Sequence, residues 1–117
     1  MNLNDFLSRL DNSTDLDFED TMQVIADNYS FTATAFSNGN LTNEAGQNEG
    51  SCKIFAFAQL NNLDEETTLK CFGRFYKDVL ATPEGTDHGN IRNFMRTGWQ
   101  GIKFASPPLR ANEAVGK

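Results

Sequence analysis

The run Ile54-Phe55-Ala56-Phe57-Ala58-Gln59-Leu60 leaves almost no side that could face water. A segment that is apolar all round has to lie at the centre of whatever it belongs to. Two conformations meet that demand. Ser51 as an N-cap, with the length of the run, predicts a buried central helix ending near Gln59 or Leu60. The alternation of large and small side chains leaves a buried strand as the rival. Seven residues preceded by Lys53 are too few to cross a bilayer. The block is entered from a polar loop, Asn43 to Gly50, that carries Glu44, Gly46 and Glu49.

The rest of the chain has to supply a shell for that centre. Leu3, Phe6, Leu7 and Leu10 fall at helical spacing, with Asn2 as cap and Asp5 in the first turn. Asp11 to Asp15 reads as a connector. Asp17 caps a second helix whose stripe is Phe18, Met22, Ile25, Ala26 and Tyr29. Ser30 to Phe36 is β-branched and aromatic, so one strand is expected there, followed by an Asn38-Gly39 turn and a short return over Asn40 to Thr42. Asp64 caps one long helix carrying Leu69, Phe72, Tyr76, Val79 and Leu80 on its inner face. Thr82 before Pro83 ends it. Asp87 is the expected cap of a last helix, Asn90 to Thr97, with Ile91, Phe94 and Met95 inside and Arg92 and Arg96 on another face. Gly98 fits its C-terminus as an αL residue, with Trp99 packing back, and Gly101 to Ala105 reads as a strand. The expectation is an α+β fold, about five helices on a small, mostly antiparallel sheet. It occupies residues 1–105, with a polar, frayed tail over 106–117.

A chain of 117 residues buries roughly two-thirds of its unfolded surface, enough for one core without staples. Ten phenylalanines against two tyrosines and one tryptophan make that core ring-rich. Sixteen acids against ten bases give a net charge of −6, which argues against nucleic acid and anionic membranes as partners. Two cysteines, Cys52 and Cys71, with no C-x-x-C, read as reduced thiols in a cytoplasmic protein. No basic-then-apolar leader is visible. One histidine and scattered carboxylates show no metal-ligand spacing, and no cofactor is expected.

Chemistry concentrates in two stretches. Cys52, placed in a first helical turn beside Lys53, is a candidate nucleophile with a lowered pKa; the alternative is simple packing. Lys53 in a first turn opposes the helix dipole, so it either faces an anionic ligand with the free N–H groups of Ser51 and Cys52 or pairs with Glu44 or Glu49. His88, flanked by Asp87 and near Asn90 and Arg92, is a candidate general acid or base, or else a cap or network residue.

Three segments resemble the HopJ family of type III effectors: N-E-A-G-Q-N-E-G-S-C-K-I-F-A-F-A from Asn43, C-F-G-R-F-Y-K-D-V-L from Cys71, and G-T-D-H-G-N-I-R-N-F-M-R-T-G-W-Q-G-I-K-F from Gly85. The likeness runs from about Asn2 to Phe104. It implies a small α+β domain and carries no reaction, cofactor or catalytic residues with it. The matching stretches include Asn43, Glu44, Asn48, Cys52, Lys53, His88, Asn90 and Arg92. Those are the polar residues expected to line one pocket for a small polar or anionic ligand, with Lys53 and Arg92 supplying positive field to His88. The alternative is a secreted effector that works through protein contacts. Asp5 and Asp11 in a helical N-terminus are unlike a flexible type III export signal, so a cytoplasmic role is expected.

Overall fold

The computed structural model describes residues 2–12 and 16–112; the end of the expected connector and the last residues of the expected tail lie outside them. Among the described residues, six helices and two small antiparallel sheets make an α+β fold. The helices are α1 (Leu3–Asn12), α2 (Phe18–Asn28), α3 (Glu49–Leu60), α4 (Glu65–Lys70), α5 (Arg74–Ala81) and α6 (Gly89–Thr97). A 3₁₀ turn, Gly98–Gly101, follows α6. The strands are β1 (Tyr29–Phe31), β2 (Phe36–Asn38), β3 (Leu41–Asn43), β4 (Ile102–Phe104) and β5 (Leu109–Ala111). No described helix is long and apolar enough to cross a membrane.

The apolar run is the helix α3, and it is central. Ile54, Phe55, Phe57 and Ala58 are fully buried. Phe55 and Phe57 are two residues apart, which places them on nearly opposite sides of a 3.6-residue turn. Phe55 meets Phe94, Phe72, Phe36 and Trp99, with ring centroids 4.9, 5.6, 6.2 and 6.4 Å away. Phe57 meets Phe6 and Tyr29 at 5.8 and 5.9 Å. The alternation that resembles a strand is therefore a helix packed on two sides at once.

The expected strand Ser30 to Phe36 is divided. β1 pairs with β5, whereas β2 pairs with β3 and β4. The cause lies in the partner segment, where Pro107-Pro108 has no N–H groups to give a ladder. The Cα partners stay in step across the interruption, with Tyr29 facing Ala111, Phe31 Leu109, Phe36 Phe104 and Asn38 Ile102. The hydrogen-bonding positions, however, change from Asn28 and Thr32 on one side to Ala35 and Gly39 on the other. Thr32 N donates to the Pro108 carbonyl and Ala105 N to that of Ala35 across the gap. The expected tail thus contributes a strand, and its Leu109 is buried.

The expected hairpin turn is shifted by one residue. Asn38 and Leu41 pair as strand ends, so Gly39 and Asn40 form the loop, with Gly39 at φ 63° as the first central residue of a II′ turn requires. The return strand is Leu41–Asn43, and both Asn38 and Asn43 point into the protein, 0% and 1% exposed.

The long helix expected after Asp64 is two helices. Cys71 to Gly73 turn between α4 and α5, with Gly73 at φ 60° and ψ −127°. Asp17, besides capping α2 in a capping box with Asp20, accepts a hydrogen bond from Arg74 N at 2.9 Å. The break lets Leu69, Phe72 and Val79 stay buried but leaves Leu80 53% exposed. Met95, expected inside, is 45% exposed. Asn2 and Asp64 cap as expected, through Asp5 N and Thr67 N at 2.8 Å each. Trp99 packs back on Phe94 at 5.0 Å. Gly98 has the expected positive φ of 62°, but its ψ of −156° lies outside αL.

Candidate functional site

Two helices begin side by side, and each is preceded by a residue in the left-handed conformation. Asn48 (φ 52°, ψ 46°) leads into α3, and His88 (φ 53°, ψ 50°) into α6. Asn and His tolerate this region better than most residues. Neither side chain caps its own helix. The first-turn N–H groups of both helices are therefore left without a side-chain cap, and each helix end carries a partial positive charge. The expected caps, Ser51 and Asp87, lie respectively inside α3 and one residue before His88.

The two starts are joined through Asn43 on β3. Its Oδ1 accepts from Asn48 Nδ2 at 2.6 Å and from Asn90 Nδ2 at 3.0 Å, and its own amide donates to Asn90 Oδ1 at 3.2 Å. Asn38 Nδ2 adds bonds to Asn90 O at 2.8 Å and Oδ1 at 3.0 Å. Asn93 Nδ2 holds Asn38 O at 2.8 Å. These asparagines are bound to each other, and they fix the spacing of the two helix ends.

Between those ends lies a hollow of about 500 Å³. Its polar lining includes Asn48, Ser51, His88 and Asn90, and its apolar wall includes Phe18, Phe72 and Phe75. His88 packs its ring 5.4 Å from that of Phe75, and its Nε2 is 3.8 Å from both Asp78 Oδ2 and Asp87 Oδ2. Phe18 reaches the hollow because residue 50 is glycine: a Cβ there would lie 2.7 Å from the ring.

The expected pocket residues are thus only partly brought together. Asn48, His88 and Asn90 line the hollow, and Asn43 braces it from behind. Cys52, Lys53, Glu44 and Arg92 do not line it. Because α3 starts at Glu49, Cys52 and Lys53 lie beyond the first three residues, where the dipole has faded. Cys52 N already donates to Asn48 O at 3.0 Å. The thiol is 2% exposed, and burial, with the Glu49 charge adding to it, pushes its pKa up to about 11, reversing the expected lowering. The Lys53 ammonium sits 4.8 Å above the centroid of the Phe31 ring, a cation–π contact. Glu44 is exposed and closes its own loop, its N–H donating to Gln47 Oε1 at 3.1 Å.

Arg92 is a staple, not a pocket cation. Its guanidinium donates to Thr82 O at 2.8 Å and Asp87 Oδ1 at 2.6 Å, pinning the turn before α6. That contact holds the Asp87 carboxyl below its ordinary pKa. The apolar wall was not among the expected site residues, since Phe18, Phe72 and Phe75 read only as core stripe. Gly50 and Gly73, which let Phe18 and α5 close up, were the signals that could have found it. Among the described residues no cluster of His, Cys, Asp and Glu could hold a metal.

No curated protein matches the chain. A solved structure described as that of "unknown function protein VPA0580" is 59% identical, covers 96% of this chain and 95% of its own, and superposes with a TM-score of 0.93. A family described as HopJ type III effector protein matches residues 3–109. The chain belongs to the HopJ family.

Proposed function

We propose that this protein binds a small molecule with a polar or anionic head and an apolar body in the hollow between the starts of α3 and α6. The observation that carries this is the lining: uncapped N–H groups of two helices, Ser51, Asn90 and His88 converge opposite a wall of Phe18, Phe72 and Phe75. Each helix end contributes roughly half a positive charge, which favours a carboxylate or phosphate at the two helix starts and is opposed by the Asp78 and Asp87 carboxylates beside His88. A volume of about 500 Å³ is in the range of small-ligand pockets. His88 is the lining group suited to exchange a proton with such a ligand, as donor or acceptor.

The test is a titration of ¹⁵N-labelled protein with acetate, benzoate and inorganic phosphate. Benzoate is expected to give saturable shifts at Gly50, Ser51, Gly89 and Asn90 and to bind more tightly than acetate. Gly89→Leu, whose Cβ would stand an ordinary 3.6 Å from Leu41 Cδ2, should fill the hollow and abolish those shifts. His88→Asn keeps the left-handed backbone and should weaken binding without unfolding the chain. No saturable shift from any of the three probes would end this reading.

The family's description as a type III effector favours a second reading, export followed by action through protein contacts. A reporter fused behind the N-terminal residues decides it: retention in a secretion-competent cell removes export.

A further inference from the structure

We propose that Asn38 is a latent self-modification site, kept intact by the docking of α6 on the β2–β3 hairpin and open to deamidation whenever that docking is lost. Asn38-Gly39 is the sole Asn-Gly pair in the chain. A glycine in second place has no Cβ to obstruct ring closure, so its nitrogen can reach the asparagine side-chain carbonyl carbon. In the reaction the Gly39 amide gives its proton to solvent base, and its nitrogen bonds to Cγ of Asn38. The Cγ–Nδ2 bond breaks, and ammonia leaves with a proton taken from water. One water then opens the five-membered succinimide at either carbonyl, giving aspartate or isoaspartate. Water and base suffice; no oxidant or reductant enters.

The fold blocks each step. Asn38 is 0% exposed, and its carboxamide is held by two bonds from Nδ2, to Asn90 O at 2.8 Å and Asn90 Oδ1 at 3.0 Å. The attacking nitrogen is engaged as well, since Gly39 N–H donates to Gly101 O at 2.9 Å. Strand pairing to Leu41 on one side and Ile102 on the other fixes the Asn38 backbone. Asn93 Nδ2 ties the Asn38 carbonyl to α6 from the same side.

The product does not fit the place it leaves. A carboxylate at position 38 has no N–H to offer and would face the two Asn90 acceptors. Asn38 Oδ1 is already a buried acceptor with no protein partner, so the site has no spare donor to receive a second oxygen. Modification is therefore one-way: a chain altered while open closes less firmly, and the start of α6 loses its Asn38 tie to the hairpin and keeps the one through Asn43.

Full-length protein is incubated at mildly alkaline pH, and conversion at position 38 is read by peptide mass spectrometry, with isoaspartate resolved chromatographically. Folded wild type is expected to keep its amide, while the same chain in urea converts. Asn90→Ala removes one acceptor of the clamp. Gly101→Ala would put a Cβ 2.7 Å from Gly39 N and push that nitrogen off its carbonyl. Each variant is expected to convert on the order of 10-fold faster than folded wild type, following its larger open population. If either variant fails to fold, a urea series on the wild type serves instead, and conversion should track the unfolded fraction. Folded wild type converting at the unfolded rate would overturn the proposal. So would an amide that persists at position 38 in urea while other asparagines change.

Discussion

Asn43 and Asn90 exchange hydrogen bonds between β3 and α6, each amide donating to the other's oxygen, at 3.2 and 3.0 Å. The pair is buried, 1% and 6% exposed, and Asn48 shares the Asn43 oxygen. Removing one member of such a set leaves buried donors without acceptors, which costs more than the bonds contribute on average. Asn43→Ala is expected to lower unfolding stability by about 1–3 kcal/mol in urea titration. Asn43→Asp should be at least as damaging, because it brings a carboxylate towards the acceptors Asn90 Oδ1 and Phe36 O. A loss under about 0.5 kcal/mol for Asn43→Ala, as for ordinary surface changes, would show that the helix starts are not held through this residue.

Gly73 is tied to its place by both conformation and contact. Its φ of 60° is left-handed, and a Cβ there would lie 2.5 Å from Phe18 N and 2.7 Å from Asp17 Cα. Gly46, at φ 90°, has nothing within 4 Å of its would-be Cβ. Both positions incur the conformational penalty of an L-residue, roughly 1–2 kcal/mol, whereas only position 73 adds a collision with backbone. Gly73→Ala should therefore destabilise clearly more than Gly46→Ala in parallel urea titrations. Equal losses would mean that α5 can move away from the start of α2 at little cost.

These two glycines also show what the sequence could convey. Periodicity located the helices, because a helix that buries one stripe writes its period into the chain; α1, α2 and the caps Asn2, Asp17 and Asp64 were legible for that reason. The break between α4 and α5 was not, since Leu69, Phe72, Tyr76 and Val79 keep helical spacing straight through it. Gly73 alone marked it, and its cause is the distant Asp17 backbone. The divided strand was hidden likewise, because the interruption comes from Pro107-Pro108 on the partner segment. At the site, His88, Asn48 and Asn90 were legible as polar residues near helix starts. The exclusion of Lys53 and Arg92 was not, because it depends on where α3 begins and on a guanidinium that found Thr82 and Asp87 first.

Both thiols should be inert in the folded protein. Cys52 and Cys71 are 2% and 1% exposed, and burial pushes their pKa values up to about 11 and about 12. The thiolate is the reactive form, so at neutral pH little of it exists, and what exists is covered. Ellman's reagent is expected to release its chromophore slowly from native protein and at once in denaturant. A fast native phase that disappears in Cys52→Ala would reopen the nucleophile reading.

Acid should weaken the fold through a few named carboxylates. The Arg74 backbone and side chain lower the pKa of Asp17, and the Arg74 side chain that of Glu19; hydrogen bonds from Thr67 lower Asp64, and the Arg92 side chain lowers Asp87. A carboxyl whose pKa is lower in the folded state binds fewer protons folded than unfolded. Its contribution is complete above the unfolded value, near 3.8 for Asp and 4.5 for Glu, and is lost as the pH falls through the folded one. The urea midpoint should therefore hold steady from neutral pH down to about 5 and then drop progressively. Arg74 pairs with Glu19 at 2.7 Å and Asp17 at 3.1 Å, so Arg74→Met should lower the neutral plateau and flatten the acid limb together. Sodium chloride at high concentration should do the same more weakly, because these pairs are exposed and screened. An acid limb unchanged by Arg74→Met would place the proton-linked stability in other carboxylates.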